Sequence, residues 1–275
     1  MKQIIDPAFI LAVIIPLFFQ GCTGDKAKEI PEYASSLENV TVLDPEAEPQ
    51  YSIEFDEMYS VGDREPLLFS RLSELEADVN GNLYAAESFS GQETIYVIDR
   101  NGNPVTTIGR NGAGPGEFRS IFSMSYNSGI LYVLDYNLQR FQGFSTETFE
   151  PILISDLTSS EWDISGENTA VFPYRIEAYD DESLLGIFNY LTFEMDKLLL
   201  FHMDRDGSVS SGRLANLDYI RHLRDPVESG RAYYDPFGGR GLIPVSDEGR
   251  VYYLWPEDLL FRVMAREGND LLREM

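Results

Sequence analysis

Four stretches of this chain repeat one pattern: an apolar strand, a tight polar turn, a second apolar strand and a glycine-marked reversal. The clearest copy runs Leu83-Tyr84-Ala85-Ala86-Glu87, then Ile95-Tyr96-Val97-Ile98-Asp99, then Thr107-Ile108-Gly109. Leu83, Leu131, Leu184 and Val251 hold equivalent places, at intervals of 48, 53 and 67 residues. A turn signal precedes each: Asn80-Gly81-Asn82, Asn127-Ser128-Gly129, Asp180 to Ser183, and Asp247-Glu248-Gly249. Such residues reach φ > 0 or bond their own backbone, and so join antiparallel neighbours as hairpins. A second turn recurs as Asp99-Arg100-Asn101-Gly102 and Asp204-Arg205-Asp206-Gly207. No single residue constrains the fold as much as this period does.

The strands before those second turns are continuously apolar or nearly so: Ile95 to Ile98, Phe141 to Phe144, Leu198 to Met203, Phe261 to Met264. A run of that kind belongs to a sheet packed on both faces. With a period near 50 residues, the expectation is an all-β chain, a β-propeller of four-stranded antiparallel blades, each unit opening on the Leu83-type strand. The 17 Phe and 16 Tyr suit strands. Helical periodicity is confined to Ser211 to Arg224 and Asp258 to Arg266. An insertion between Asp225 and Gly241 lengthens the third interval, and Tyr51 to Val61 offers a closing strand.

Charge and cysteine usage narrow the class. The net charge is −25, from 46 acidic and 21 basic residues. A polyanion is repelled by nucleic acid and by anionic lipid, so neither is expected to bind the globular part. One cysteine permits no disulfide within the chain and no thiolate metal cluster. That cysteine, Cys22, ends an apolar run from Pro7 to Phe19 through Gln20-Gly21, and a polar stretch follows. The arrangement resembles a bacterial lipoprotein signal, which implies lipidation at Cys22 and a place in the cell envelope, periplasmic or surface-facing. Residues 1–21 then read as the signal, 22–50 as an acidic, Pro-containing tether, and 51–275 as the propeller. Val40 to Leu43 is a candidate peripheral strand within the tether.

Gly109-Arg110-Asn111-Gly112-Ala113-Gly114-Pro115-Gly116-Glu117-Phe118, followed by Leu131 to Asp135 and Arg140-Phe141, resembles the NHL-type repeat. More closely, it is similar to the six-bladed β-propeller lipoproteins of Bacteroidota-type bacteria. The resemblance assigns Gly112, Gly114, Pro115, Gly116, Glu117 and Phe118 to an inter-blade motif. It makes Asp135 and Arg140 structural partners between strands. Six blades need roughly 300 residues after the tether, and about 225 are present, so a truncated ring is expected. The function implied is binding of a protein or small molecule on one face, at the loops and channel mouth, without catalysis. The alternative is a propeller hydrolase or lactonase holding a divalent cation in the channel.

Other constellations in the sequence each have a structural explanation beside the chemical one. Gly112, Gly114 and Gly116 suggest a phosphate loop, but no Lys-Ser/Thr pair or helix follows, which leaves an inter-blade turn. Asp204 to Ser208 mimics the start of a calcium loop; its twelfth position is Ala215, and the repetition at Asp99 favours turn geometry. His202 lies within an apolar strand and reads as a core or edge histidine, and His222 lies 20 residues beyond it. Glu87 and Asp135 end equivalent strands and are weak candidates for a cation at the channel mouth. Phe188 and Trp255 occupy the matching places further on. Tyr233, Tyr234, Phe237, Arg240 and Trp255 around the insertion form a candidate recognition surface, with core packing as the competing role.

Overall fold

A computed structural model describes residues 52–57, 59–64, 67–89, 91–157, 171–180, 182–191, 195–224, 232–234, 240–246, 249–256, 260–267 and 270–274. The chain divides into two units, 1–56 and 57–275. In the first, residues 52–56 are exposed and form no strand. Cys22 and Val40 to Leu43 lie outside the described residues. All that follows concerns the second unit.

Strands β1 (Asp63–Arg64) and β2 (Leu67–Leu68) form a short hairpin. Four sheets follow in chain order. The first contains β3 (Leu72–Ala77), β4 (Leu83–Phe89), β5 (Gln92–Ile98) and β6 (Pro104–Ile108). The second contains β7 (Ile121–Asn127), β8 (Ile130–Asp135), β9 (Arg140–Ser145) and β10 (Pro151–Asp156). In the third, β11 (Val171–Asp180), β12 (Ser183–Leu191), β13 (Met195–Asp204) and β14 (Val209–Arg224) are joined by β15 (Ala232–Tyr234). The fourth contains β16 (Val251–Trp255), β17 (Leu260–Glu267) and β18 (Asp270–Glu274). Every pairing within these sheets is antiparallel between consecutive strands.

Side chains of a strand alternate between the two faces, and here both faces find apolar partners. Along β4, Tyr84 and Ala86 pack toward Met124, Leu131 and Val133 of the second sheet. Ala85 and Leu83 turn the other way, against Leu67. Along β8, Leu131 and Val133 face the first sheet, whereas Tyr132 and Leu134 meet Phe188, Leu199 and Phe201 of the third. Along β13, Leu199 and Phe201 face the second sheet, and Leu198 and Leu200 meet Val251, Tyr253 and Trp255 of the fourth. The second sheet, and likewise the third, is thus a slab between two slabs. This is why their middle strands read as unbroken apolar runs.

Leu83, Leu131 and Leu184 are equivalent, as their repeat positions predicted. Each pairs with the inner strand of its own sheet, through Ala77, Tyr126 and Ala178 respectively. Val251 makes the same kind of contact, as an isolated bridge with Val245. The sheets nevertheless begin one strand earlier than the repeat suggests, because β3, β7 and β11 precede the Leu83-type strands. Of these leading strands, β7 falls in the segment from Phe118 to Tyr126 that reads as extended, whereas β3 and β11 carry charged residues and lack a strand signal of their own. The two helical candidates are strands as well: 211–224 belongs to β14 and most of 258–266 to β17. Backbone pairing along the full length of β13 overrides the local periodicity there. Tyr51 to Val61 supplies no closing strand in its described part.

The recurrent second turns are Asx-stabilised. Asn101 and Asn103 donate their backbone N–H groups to Asp99 Oδ1 at 2.9 and 2.8 Å, with Gly102 at φ 84°. Asp204 pairs with the Ser208 hydroxyl at 3.2 Å, with Gly207 at φ 90°. Turn geometry accounts for both motifs without a metal.

Candidate functional site

The glycine run binds an anion, and that anion is its own carboxylate. Glu117 accepts the N–H groups of Ala113 and Gly114 at 3.0 and 2.8 Å and the Arg110 Nε–H at 2.9 Å. The Gly114 N–H and Arg110 hold its carboxyl below the usual carboxylate range. Strand β9 clamps the loop from the second sheet. Arg140 donates to the Ala113, Gly114 and Glu117 carbonyls at 2.9, 2.8 and 3.0 Å, and Gln142 Nε2 donates to the Glu117 carbonyl at 2.9 Å. Gly116 N–H returns a bond to Gln142 Oε1 at 2.8 Å. Phe118, fully buried, sits between the sheets against Phe144, with ring centroids 5.7 Å apart. A side chain at Gly109 would place its Cβ 2.5 Å from the Phe118 ring, at φ +84°.

Glu87 and Asp135 are both buried, and neither points to a shared cation position. Glu87 accepts the Ser70 N–H at 2.7 Å; Asp135 accepts the Arg119 N–H at 2.7 Å and the Leu138 N–H at 3.0 Å. Ser70 and Arg119 belong to the chain just entering the inner strand of the same sheet, whereas Leu138 lies in the turn between β8 and β9. Asp135 stands opposite Arg140 in register, but the Arg140 guanidinium is committed to the loop carbonyls, so the expected acid–arginine partnership is indirect. Among the described residues, no group of three or more His, Cys, Asp or Glu is placed to hold a metal ion.

What these two acids frame is a β-bulge that recurs in three successive sheets. Leu72 pairs with Glu87 and Glu74 with Ala86, leaving Ser73 extra. Ile121 pairs with Asp135 and Ser123 with Leu134, leaving Phe122 extra. Pro173 pairs with Phe188 and Arg175 with Ile187, leaving Tyr174 extra. A bulge unpairs one residue and re-aims its side chain. Neighbouring inner strands lie side by side, β3 against β7 and β7 against β11. Backbone N–H groups of Ile176 and Ala178 bond across to the Ser123 and Ser125 hydroxyls at 3.3 and 2.9 Å. Slabs that share an inner edge, with equivalent strands in sequence around it, are the blades of a propeller.

The sequence profile of the six-bladed β-propeller family matches residues 63–216, more than half of the chain. The chain belongs to that family. A comparison with curated proteins finds no match. Among solved structures, one relative of this propeller is a protein of Bacteroides fragilis NCTC 9343 named as exported. It is 15% identical, over 78% of this chain and 52% of that one, with a TM-score of 0.47. Hydrazine synthase of Kuenenia stuttgartiensis is 11% identical over 71% of this chain and 64% of that one, with a TM-score of 0.39. A B. fragilis NCTC 9343 protein named as a 6-phosphogluconolactonase is 10% identical over 74% of this chain and 82% of that one, with a TM-score of 0.32. The chain spans about half the length of the exported B. fragilis protein.

In this propeller the three bulge residues open onto one cavity of about 500 Å³. Ser73, Phe122 and Tyr174 line it together with Arg71, Glu74 and Arg175. Phe122, 37% exposed, is held edge-on to Tyr174 at 5.6 Å and tilted against Tyr136 at 5.0 Å. The Tyr174 hydroxyl lies 2.6 Å from that of Tyr219, whose ring is 5.2 Å away. The Tyr219 phenol is pushed above its ordinary range by burial and by that contact.

A second cavity of about 730 Å³ lies at the other ends of the same strands, lined by Glu76, Asp78, Tyr126 and Glu177 among others. Burial pushes the Glu177 carboxyl up to about 7; Arg175 at 2.5 Å and a bond with Ser125 oppose it, while Glu76 and Glu74 repel its charge. Burial likewise raises Glu74, against the pull of Arg175.

Of the residues singled out around the insertion, Trp255 and Arg240 differ in exposure. Trp255 is buried at 2% within the packing of the third sheet on the fourth, so core packing prevails over an exposed role. Arg240 is exposed and bridges Ile220 through backbone. Tyr233 and Tyr234 lie on β15, paired with Leu223 and His222, and Phe237 falls outside the described residues. His202 is buried at 6% and meets Tyr179 edge-on at 5.8 Å, as a core histidine. The sequence reading missed Ser73, Phe122, Tyr174, Arg175 and Glu177. One signal for the last two existed: polar pairs two residues apart recur as Glu74/Glu76, Ser123/Ser125 and Arg175/Glu177, one per inner strand.

Proposed function

We propose that this protein is a cell-envelope lipoprotein whose propeller binds a small ligand at the cavity framed by Ser73, Phe122 and Tyr174. The reading is carried by one observation: three successive blades place the same bulge at the same level, and all three bulge residues line a single cavity. Ligand sites are concave and set convergent polar groups beside apolar surface; here Leu72, Ile121, Phe122 and Tyr174 stand among more numerous polar side chains. A small-molecule library read by thermal shift tests it. Ligands at this mouth raise the melting temperature of the native chain, by mass action, and raise that of Phe122→Leu much less. Hits that stabilise both proteins equally would place binding elsewhere.

The apolar run before Cys22 supports the envelope assignment. Expressed in a bacterium with lipoprotein processing, the native chain partitions with membranes and Cys22→Ser moves to the soluble fraction. Continued membrane association of Cys22→Ser would refute lipidation.

A further inference from the structure

We infer that the ligand of this mouth is a neutral saccharide, an inference that rests on the ligand-binding reading above. Two features of the lining point to it. The first is a braced, half-open ring. Phe122 packs against Tyr174 and Tyr136, and Tyr136 in turn against Phe172 at 6.4 Å, so the aromatic surface is braced on two sides. A braced ring costs little conformational entropy on binding and suits a rigid partner with a C–H-rich face.

The second is a set of hydrogen-bonding groups of both signs around that ring. The lining holds two guanidiniums, Arg71 and Arg175, one carboxylate, Glu74, and the hydroxyls of Ser73, Ser88 and Ser120. Arg175 is ion-paired with Glu177, and the Ser73 and Ser88 hydroxyls donate to the Ala86 carbonyl and to Glu93, so Arg71 and Glu74 are the charged forks that face a ligand. Arg71 is itself steadied over the Phe89 ring at 5.6 Å. Guanidinium and carboxylate are planar forks that take two neighbouring groups at once, one by donating and the other by accepting. Vicinal hydroxyls on a sugar ring, each both donor and acceptor, match both forks. With Arg175 ion-paired to Glu177, the lining sets one further cation, Arg71, against one anion, Glu74, so a cationic ligand gains no net attraction there. A strongly anionic one is disfavoured by Glu74 and by the −25 charge of the whole chain. A purely apolar one would strip water from these polar groups without replacing it. The class that remains is uncharged, rigid and hydroxyl-rich, with an apolar ring face.

The test is saturation-transfer NMR with titration, on the soluble Cys22→Ser chain. Neutral trisaccharides (maltotriose, cellotriose, mannotriose, chitotriose) are compared with trigalacturonic acid, with putrescine and with the tripeptide Tyr-Tyr-Tyr. The expected result is saturable binding of at least one neutral trisaccharide, weakened about tenfold or more in Phe122→Leu. Arg71→Gln, at an exposed position, weakens the same ligand and guards against a folding defect in the first variant. Binding of an acidic, cationic or peptide probe in place of the neutral sugars, lost in Phe122→Leu, would overturn the saccharide class and keep the mouth. No binding of any neutral trisaccharide also overturns the saccharide class. Sugar binding unchanged in both variants overturns the mouth as its site.

Discussion

Single side chains in this propeller do opposite things with charge. Glu117 is stabilised as an anion by loop N–H groups, whereas Glu177 is destabilised as one by burial. With its carboxyl raised to about 7 from 4.5, Glu177 holds its proton in the folded state where the unfolded chain has lost it. Its contribution therefore makes folding more favourable at pH 4.5 than above pH 7, by on the order of 3 kcal/mol. Glu177→Gln should lose that dependence. Paired denaturant titrations of the two proteins across pH 4.5 to 8 check it: their stability difference shrinks as the pH falls, and a constant difference would contradict the raised pKa. At the blade junction, Phe118→Ala empties a fully buried ring site between two sheets and should cost about 3 to 5 kcal/mol in the same assay. Gly109→Ala fails differently, through its positive φ and the approach to that ring, and should destabilise although it adds one methyl group. The role of Phe118 was legible in the sequence because its glycine-rich setting repeats a known junction. Glu177 was not, since its proton affinity depends on residues of another blade.

At the level of strands, the middle of each blade announced itself and the inner edge did not. β4, β8, β12 and β13 are packed on both faces, so burial writes an apolar run into the sequence. β3 and β11 bury less, carry Glu74, Glu76, Arg175 and Glu177, and look like loop. The bulges were equally hidden, because a bulge is defined by the pairing of two strands and leaves no mark on either alone. Glu87 and Asp135 are the clue that was available: acids ending equivalent strands, read as possible cation ligands, in fact receive the N–H groups of the chain leading into the bulge. Asp135→Ala should strand the Arg119 N–H ahead of the bulge and the Leu138 N–H in the β8–β9 turn, and cost on the order of 2 to 3 kcal/mol. It should also weaken ligand binding at the mouth, although Asp135 does not line it. If calorimetry shows lost stability with unchanged binding in the folded fraction, the acid does not position the bulge.

For the molecule as a whole, repetition made the architecture readable and charge sets its behaviour in solution. Every sheet presses on its neighbour through side chains that alternate in direction, so the fold follows from a period and a two-sided pattern. The extent of each sheet was harder, since it depends on which polar segment joins the apolar pair. A net charge of −25 repels itself in the compact state. Raising sodium chloride from about 10 mM to about 300 mM shortens the Debye length from about 30 Å to below 10 Å and should raise the melting temperature. A fall over that range, measured by calorimetry, would mean that attractive pairs outweigh the repulsion. The recurrent bulge has a further consequence. Its geometry is written in main-chain pairing, while the residue it displays has already been Ser, Phe and Tyr in three copies of one template. In the binding role proposed above, such a port would change its cargo by point substitution without disturbing the blades that carry it, a natural route by which duplicated modules acquire new tastes.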